Sequence, residues 1–163
     1  MLDSLASRVE GDELPPADDL RGLLDFFTVF ADGCHHVKEE RILFPALEAA
    51  GLARGAGPVG ALLEQHDEGR RLVGLMRGAL PSLERDAQAR RRFAAAARDF
   101  VTMLDRHIAL ENEGLFAIAE GMLTAEDDRD ITAAFDRHEE AEMGEDVHRR
   151  FHRMLDDLSH RYR

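Results

Sequence analysis

The chain has 163 residues, the usual size of one domain and enough to bury a substantial core. Its hydrophobic fraction of 44% and charged fraction of 33% are typical of a globular protein in water. The formal net charge is -12. Affinity for phosphates comes from Lys and Arg, so nucleic-acid binding is not the leading hypothesis. Cys34 is the single cysteine, which excludes a disulfide framework and a thiolate metal cluster.

The N-terminal stretch "MLDSLASRVEGDEL" is acidic and lacks the apolar region of a signal peptide. No apolar run approaches the ~18 residues that a transmembrane helix requires. The sequence therefore predicts a cytoplasmic protein with no membrane partner and no nucleic-acid partner.

Breaks rich in Pro and Gly, most clearly at 11–19 and 51–60, separate stretches of the helix formers Ala, Leu, Arg and Glu. Apolar residues recur at helical spacing in these stretches, and β-branched residues are few. We expect helices, in chain order, at 1–10 (the weakest), 17–49, 58–80, 86–120, 124–143 and 145–160. The pattern predicts an all-α, up-down antiparallel helical bundle in a single domain, 1–163, with its core bundle at about 17–120 and C-terminal helices at about 124–160.

An internal repeat links two of the predicted helices. The stretch "HHVKEERILFPALE" (35–48) aligns without a gap to "HIALENEGLFAIAE" (107–120), at an offset of 72. The identical positions are His35/His107, Glu39/Glu111, Leu43/Leu115, Phe44/Phe116 and Glu48/Glu120. The two helices are therefore interpreted as copies of one another, or as helices that have converged on the same task.

The repeated His and Glu lie four residues apart, and positions four apart on a helix share one face. In both copies that face is also the apolar stripe, since Phe100 lies seven residues before His107. His66 lies between Leu62 and Val73 on the inward face of a third helix. Three helices are therefore expected to direct an imidazole into the core, and two of them add a carboxylate.

A buried, ionised carboxylate without a partner costs several kcal/mol. Few Lys or Arg residues fall on the inward stripes, so a metal cation is the simplest compensation. A mixed His and Glu set without thiolate suits iron, manganese or zinc, and carboxylates from two helices can bridge two ions. A single inward His is more often a hydrogen-bonded core residue, but two copies in register with a third His favour a metal site.

The stretches "HHVKEERILFPALE", "EQHDEGR" and "HIALENEGLF" resemble the signatures of hemerythrin-like proteins of the HHE cation-binding type, in order and spacing over about 20–120. The tail "HEEAEMGEDVHRRFHRMLDDL" is similar to the ending of bacterial members. The resemblance implies an up-down bundle around a non-haem di-iron centre, oxo- or hydroxo-bridged, with zinc or manganese as alternatives. It implies metal ligation by His35, Glu39, His66, His107 and Glu111, with the two glutamates bridging the ions.

Two positions refine what the resemblance implies. Arg70 stands where oxygen-carrying hemerythrins place a second His, four residues after the one that matches His66, so oxygen carriage of that type is not expected. The pair His36 and Glu40 has the same spacing as the pair His35 and Glu39. The repeat selects His35 and Glu39, because it matches His36 with the apolar Ile108.

A symmetric di-iron bundle needs a His on each of four helices, and the sequence supplies three. Leu2, Leu5 and Val9 have the spacing expected at the end of a first helix, whose upstream part carries that His in the family. We therefore expect either that the coding sequence extends upstream, or that this ligand is absent and one ion keeps an open position. Substitution by His138 or His148 is the less favoured alternative.

The remaining candidates are weaker. His138 and Glu142 form a third pair four residues apart, but the surrounding "DRHEEAE" predicts a solvated face. His148 and His152 are also four apart and are a secondary candidate for a surface metal, while Cys34 is expected to be a small core residue. No phosphate-binding glycine loop or nucleophile elbow is present.

Three functions follow from these patterns. The first is a di-iron protein that handles a small ligand such as oxygen, peroxide or nitric oxide, in sensing, detoxification, or iron storage and repair. The second is a non-catalytic bundle with a structural His/Glu network or a mononuclear zinc site. The third is an interaction module that uses its acidic surface. Whether the protein catalyses turnover is left open by the sequence.

Overall fold

A computed structural model describes residues 1–11, 13–55 and 57–162, apart from the side chain of Glu145. Asp12 and Ala56, which fall in two predicted loops, and Arg163 lie outside the described residues. The described chain forms six helices and contains no β-strand. They are α1 (Leu2–Glu10), α2 (residues 17–49), α3 (Gly57–Ala79), α4 (residues 87–122), α5 (Ala125–Glu142) and α6 (Gly144–Arg161). The predicted all-α fold and the order of its helices are confirmed.

Helices α2 and α4 are not uniform α-helices. In α2, α-helical ends (Ala17–Phe26 and Phe44–Ala49) flank two π-helical segments, Phe27–His36 and Glu39–Leu43. In α4, one π-helical segment (Glu111–Leu115) separates Ala87–Leu110 from Phe116–Met122. A π-helical segment therefore begins at the first glutamate of each repeat copy. Single π turns inside α-helices occur frequently at functional sites.

The central bundle is built from the first four helices. Helix α3 packs along α4, α1 packs against α4, and α2 packs against α3. Connections of fewer than ten residues join α2 to α3 and α3 to α4, which places neighbouring helices antiparallel. Four buried side chains, Leu2, Leu5, Ala6 and Val9, fix α1 in this bundle, so the weakest predicted helix is an integral element.

Helices α5 and α6 cover α2 from outside. Helix α5 contacts the π-helical segments of α2, where Lys38 forms an ion pair with Glu139. Helix α6 contacts the beginning of α2, where Asp19 accepts hydrogen bonds of 2.5 Å from both Arg161 and Tyr162. The C-terminal helices therefore form an outer layer that is attached to the beginning and to the middle of α2.

The apolar core consists of two clusters. The larger joins α1, the first half of α2, the second half of α3, the first half of α4 and the end of α6, with Leu5, Leu24, Leu72, Met76, Phe93 and Leu158 among its members. The smaller joins the opposite ends of α2, α3 and α4, and contains Leu43, Phe44, Leu47, Val59, Leu62 and Leu115. Along each of these three helices, the predicted site residues lie between the two clusters.

None of the helices in the described part of the chain combines the length and apolar character needed to cross a membrane.

We expect Leu5→Ala in α1 to lower the free energy of unfolding by about 2–5 kcal/mol, because it removes a fully buried side chain and leaves a cavity. Leu75→Ala is the matched control, since Leu75 is 49% exposed and its truncation should cost no more than about 0.5 kcal/mol. Urea unfolding followed by circular dichroism measures both. Equal effects of the two substitutions would show that α1 is not part of the cooperative core.

Candidate metal centre

Four polar or charged side chains are buried in the part of the chain that the structure describes: Glu39, His66, His107 and Glu111. Their exposed fractions are 4%, 0%, 3% and 8%, so all four are as buried as the apolar core around them. They come from three helices, α2, α3 and α4. All four belong to the predicted ligand set.

The functional atoms of these residues converge. Nε2 of His107 lies 3.0 Å from Oε1 of Glu111, and Nε2 of His66 lies 3.2 Å from Oε2 of Glu39. The fifth predicted residue, His35, places its Nε2 3.5 Å from Oε1 of Glu111 and 4.0 Å from Oε2 of Glu39. One ligand atom from each of His35, Glu39, His107 and Glu111 lies within 4.8 Å of the others. The structure therefore brings the five predicted residues together, with His35 at the exposed edge.

The converging atoms lack hydrogen-bond partners among the described residues. Oε2 of Glu39, Nε2 of His66, Nε2 of His107 and Oε1 of Glu111 are all buried and unpaired. Buried polar atoms are normally satisfied, so four unpaired atoms in one place require an explanation. Their short separations, with no hydrogen bond between them, are those expected of donor atoms that surround bound cations. The residues therefore fit a metal centre with nitrogen and carboxylate ligands.

The other ring nitrogen of each buried histidine is held by an oxygen. Nδ1 of His66 lies 2.7 Å from Oε1 of Glu40, and Nδ1 of His107 lies 3.2 Å from Oε1 of Gln65. Metal-binding histidines commonly donate their second N–H to a carboxylate or carbonyl, which fixes the tautomer and the ring orientation. In both rings Nε2 is left free to coordinate a metal ion.

The electrostatics of the site favour the ionised form of the Glu111 carboxylate. Burial acts to raise the pKa of Glu111, but the imidazoles of His107 and His35 outweigh it and hold the pKa well below its usual range. The pKa of His35 is raised, because its contact with Glu111 outweighs the effect of burial. Glu111 is therefore ready to act as an anionic ligand at neutral pH.

The sequence repeat does not select His36 as a ligand, yet His36 lies next to the candidate metal centre. Its side chain is 13% exposed, and its ring stacks on that of His66 with centroids 3.9 Å apart. A ring nitrogen from each of His36, His66 and His107 lies within 4.8 Å of the others. Burial, followed by the neighbouring imidazoles, lowers the pKa of His36 to about 3. The sequence signals for it are its position next to His35 and its spacing of four residues from Glu40.

Arg70 is held by three carboxylates instead of pointing its guanidinium at the centre. Its Nε donates to Oδ1 of Asp32 at 2.7 Å, and its Nη2 and Nη1 donate to Glu40 at 2.6 Å and Asp67 at 2.9 Å. Because Glu40 also contacts Nδ1 of His66, Arg70 supports the orientation of the His66 ring indirectly.

The weaker candidates lie elsewhere. The expectation of a solvated face for His138 is wrong, since the residue is half-buried and its Nε2 is buried. The reason is that the ion pair between Lys38 and Glu139 holds this face of α5 against α2. Among the described residues, no potential metal-binding group contains His138 or His148. Cys34 is buried as expected, and that burial raises the pKa of its thiol.

A pocket of about 260 Å³ opens beside the centre, between α2, α3 and α4. Phe27, Val73 and Phe100 supply its apolar walls. His36 and Arg70 also line it, so the pocket reaches the residues that adjoin the ligand cluster. Its volume accommodates a small molecule.

The model of the hemerythrin HHE cation binding domain family matches residues 1–119, which include every residue of the ligand cluster. The chain belongs to this family. It is 35% identical over 85 residues to the iron-sulfur cluster repair protein YtfE of Musicola paradisiaca (strain Ech703), a match over 50% of this chain and 38% of that protein. It is 28% identical over 116 residues to the YtfE protein of Salmonella paratyphi B, a match over 68% of this chain and 53% of that protein.

This HHE-domain chain therefore spans about half the length of the curated relatives that it matches. No solved structure matches it significantly. Family membership supports a cation-binding site, for which the cluster between α2, α3 and α4 is the candidate.

Metal removal should destabilise this HHE-domain protein, because the buried carboxylates lose their counter-charge and the fold loses the free energy of binding. At a metal concentration of about 100 times Kd this contribution is about 2.7 kcal/mol, which for a chain of this size corresponds to a fall in Tm of about 5–10 °C. Thermal unfolding of the iron-loaded and chelated protein measures it.

The control for this measurement is the double variant Glu39→Ala/Glu111→Ala, whose Tm should be insensitive to metal. If the unsubstituted protein keeps its Tm after verified metal removal, the buried cluster is a structural hydrogen-bond network.

Proposed function

We propose that this HHE-domain protein is a non-haem di-iron protein that handles a small ligand, such as oxygen, peroxide or nitric oxide. The observation that carries the proposal is the set of four buried, unpaired ligand atoms of Glu39, His66, His107 and Glu111. Membership of a cation-binding family supports a metal as their partner. The two-ion content and the identity of the small ligand belong to the proposal.

The proposed ligands are His35, Glu39, His66, His107 and Glu111. Five side chains are more than a closed structural zinc site uses, because such sites are four-coordinate. Each glutamate would bridge the two ions in this proposal, which is supported by the contacts of each with histidines of two helices. Imidazole and carboxylate without thiolate form a donor set that suits iron. When bound, iron would supply an open coordination position and redox chemistry.

The protein's own residues would control access and orientation. The apolar walls of the pocket, formed by Phe27, Val73 and Phe100, admit a small uncharged molecule and limit the entry of water. Glu40 and Gln65 hold the rings of His66 and His107 in fixed orientations. The side chains that meet the ligand would therefore need little rearrangement when it binds.

Among sensing, detoxification, and iron storage or repair, the names of the matched relatives favour repair. Those relatives are described as iron-sulfur cluster repair proteins, and this chain corresponds to about half of their length. We propose that the chain takes part in iron handling of that kind. The alternative function is an interaction module that binds zinc or no metal. Metal content and colour of the purified protein distinguish it from a di-iron protein.

Protein produced in iron-replete medium should contain about two iron ions per chain and absorb in the near ultraviolet and visible, as non-haem di-iron centres do. Addition of nitric oxide or peroxide should change that spectrum. Glu111→Ala should reduce the iron content to about one ion or fewer. Glu120→Ala is the matched control, because Glu120 is an exposed glutamate nine residues further along α4 and should leave the iron content unchanged.

Elemental analysis with an absorption spectrum measures these outcomes. Colourless protein that contains zinc, or Glu111→Ala protein with full iron content, would contradict the proposal.

A further inference from the structure

The metal centre proposed above leaves one half-buried imidazole without a role. His36 follows the proposed ligand His35 directly, and the sequence repeat pairs it with the apolar Ile108. Its side chain is nevertheless less exposed than that of His35, at 13% against 46%. The repeat favours His35 as the ligand, although His36 is the more buried of the two.

The Nδ1 atom of His36 faces a side-chain oxygen, as do the Nδ1 atoms of two proposed ligands, His66 and His107. Its Nδ1 lies 3.3 Å from Oδ1 of Asp32, as Nδ1 of His66 lies 2.7 Å from Glu40 and Nδ1 of His107 lies 3.2 Å from Gln65. A side-chain oxygen on Nδ1 leaves Nε2 free for a metal ion. The three rings therefore share one mode of attachment.

Arg70 couples the orientations of two of these rings. Its guanidinium donates to Asp32 at 2.7 Å and to Glu40 at 2.6 Å, so the oxygens that hold His36 and His66 are tied to one side chain. The two rings are stacked, with centroids 3.9 Å apart and an angle of 11° between their planes. The oxygens that contact the two Nδ1 atoms lie on the side of Arg70. The Nε2 atoms, at the opposite edges of the two rings, therefore face away from Arg70.

We propose that His36 is an additional imidazole ligand of the metal centre, oriented by Asp32 and, through Asp32, by Arg70. This inference rests on the proposed di-metal function and deepens it by one ligand. Parallel rings 3.9 Å apart suit one ligand on each of two neighbouring ions, which lie about 3.5–4 Å apart in two-metal sites. A single ion between the two rings would lie outside both ring planes, where the nitrogen lone pairs do not point.

The test uses Co²⁺ as the probe and the full chain freed of metal. His36→Phe keeps a flat ring that can stack on His66 but removes both nitrogens. His152→Phe is the matched control, because His152 is exposed on α6 and belongs to neither group of potential ligands. Calorimetric titration reports the number of Co²⁺ ions bound and their affinities, and circular dichroism verifies that each variant is folded.

We expect two Co²⁺ ions in the unsubstituted chain and in His152→Phe. In His36→Phe one ion should keep its affinity and the other should bind about 10- to 100-fold more weakly. The NMR spectrum of the Co²⁺ protein should also lose one hyperfine-shifted imidazole N–H signal. If His36→Phe does not fold, His36→Gly supplies the same test, because added imidazole should fill the space and restore the second ion.

The outcomes separate this inference from the proposed function. Two ions with unchanged affinities and N–H signals in His36→Phe would overturn the role of His36 and leave the di-metal proposal intact. The same holds if His36→Gly binds both ions without imidazole. Fewer than two ions in the unsubstituted chain would overturn the di-metal proposal and this inference with it.

Discussion

The burial of two carboxylates in the middle of a helical bundle is the constraint on which the rest of this structure depends. Glu39 and Glu111 are almost fully buried, and a buried charge costs several kcal/mol unless it is compensated. The nearby cations are occupied elsewhere, since Lys38 pairs with Glu139 and Arg70 is held by Asp32, Glu40 and Asp67. Among the described residues, the ring nitrogens of His35, His66 and His107 face the two carboxylates, and the unpaired atoms that result fit the proposed metal centre.

The fold places one apolar cluster on each side of the buried carboxylates and imidazoles. The two clusters hold α2, α3 and α4 at fixed separations, so the side chains between them are positioned by packing on both sides. A π-helical segment begins at each of the two buried glutamates, so the repeat in the sequence is also a repeat in the backbone. Helices α5 and α6 complete the arrangement by covering α2.

A second set of polar residues, Arg70 with the carboxylates of Asp32 and Glu40, lies around the candidate site. Asp32 and Glu40 each accept from Arg70 and from one imidazole, so each carboxylate links a cation to a ring. Arg70 thus supports the orientations of His36 and His66 through these two carboxylates. The same arginine lines the pocket beside the centre, which connects the support of the rings with access to them.

The sequence by itself determined the helices, their order, and the inward placement of Glu39, His66, His107 and Glu111, because periodicity and the repeat are local patterns that a helix expresses directly. The tertiary structure decided which of two adjacent histidines lies deeper. Neighbouring residues on a helix point about 100° apart, and the choice between those directions depends on partners such as His66 and Asp32, one of which belongs to another helix. It also decided the partial burial of His138 on α5. That burial depends on the ion pair between Lys38 and Glu139, which joins two helices that are distant in sequence.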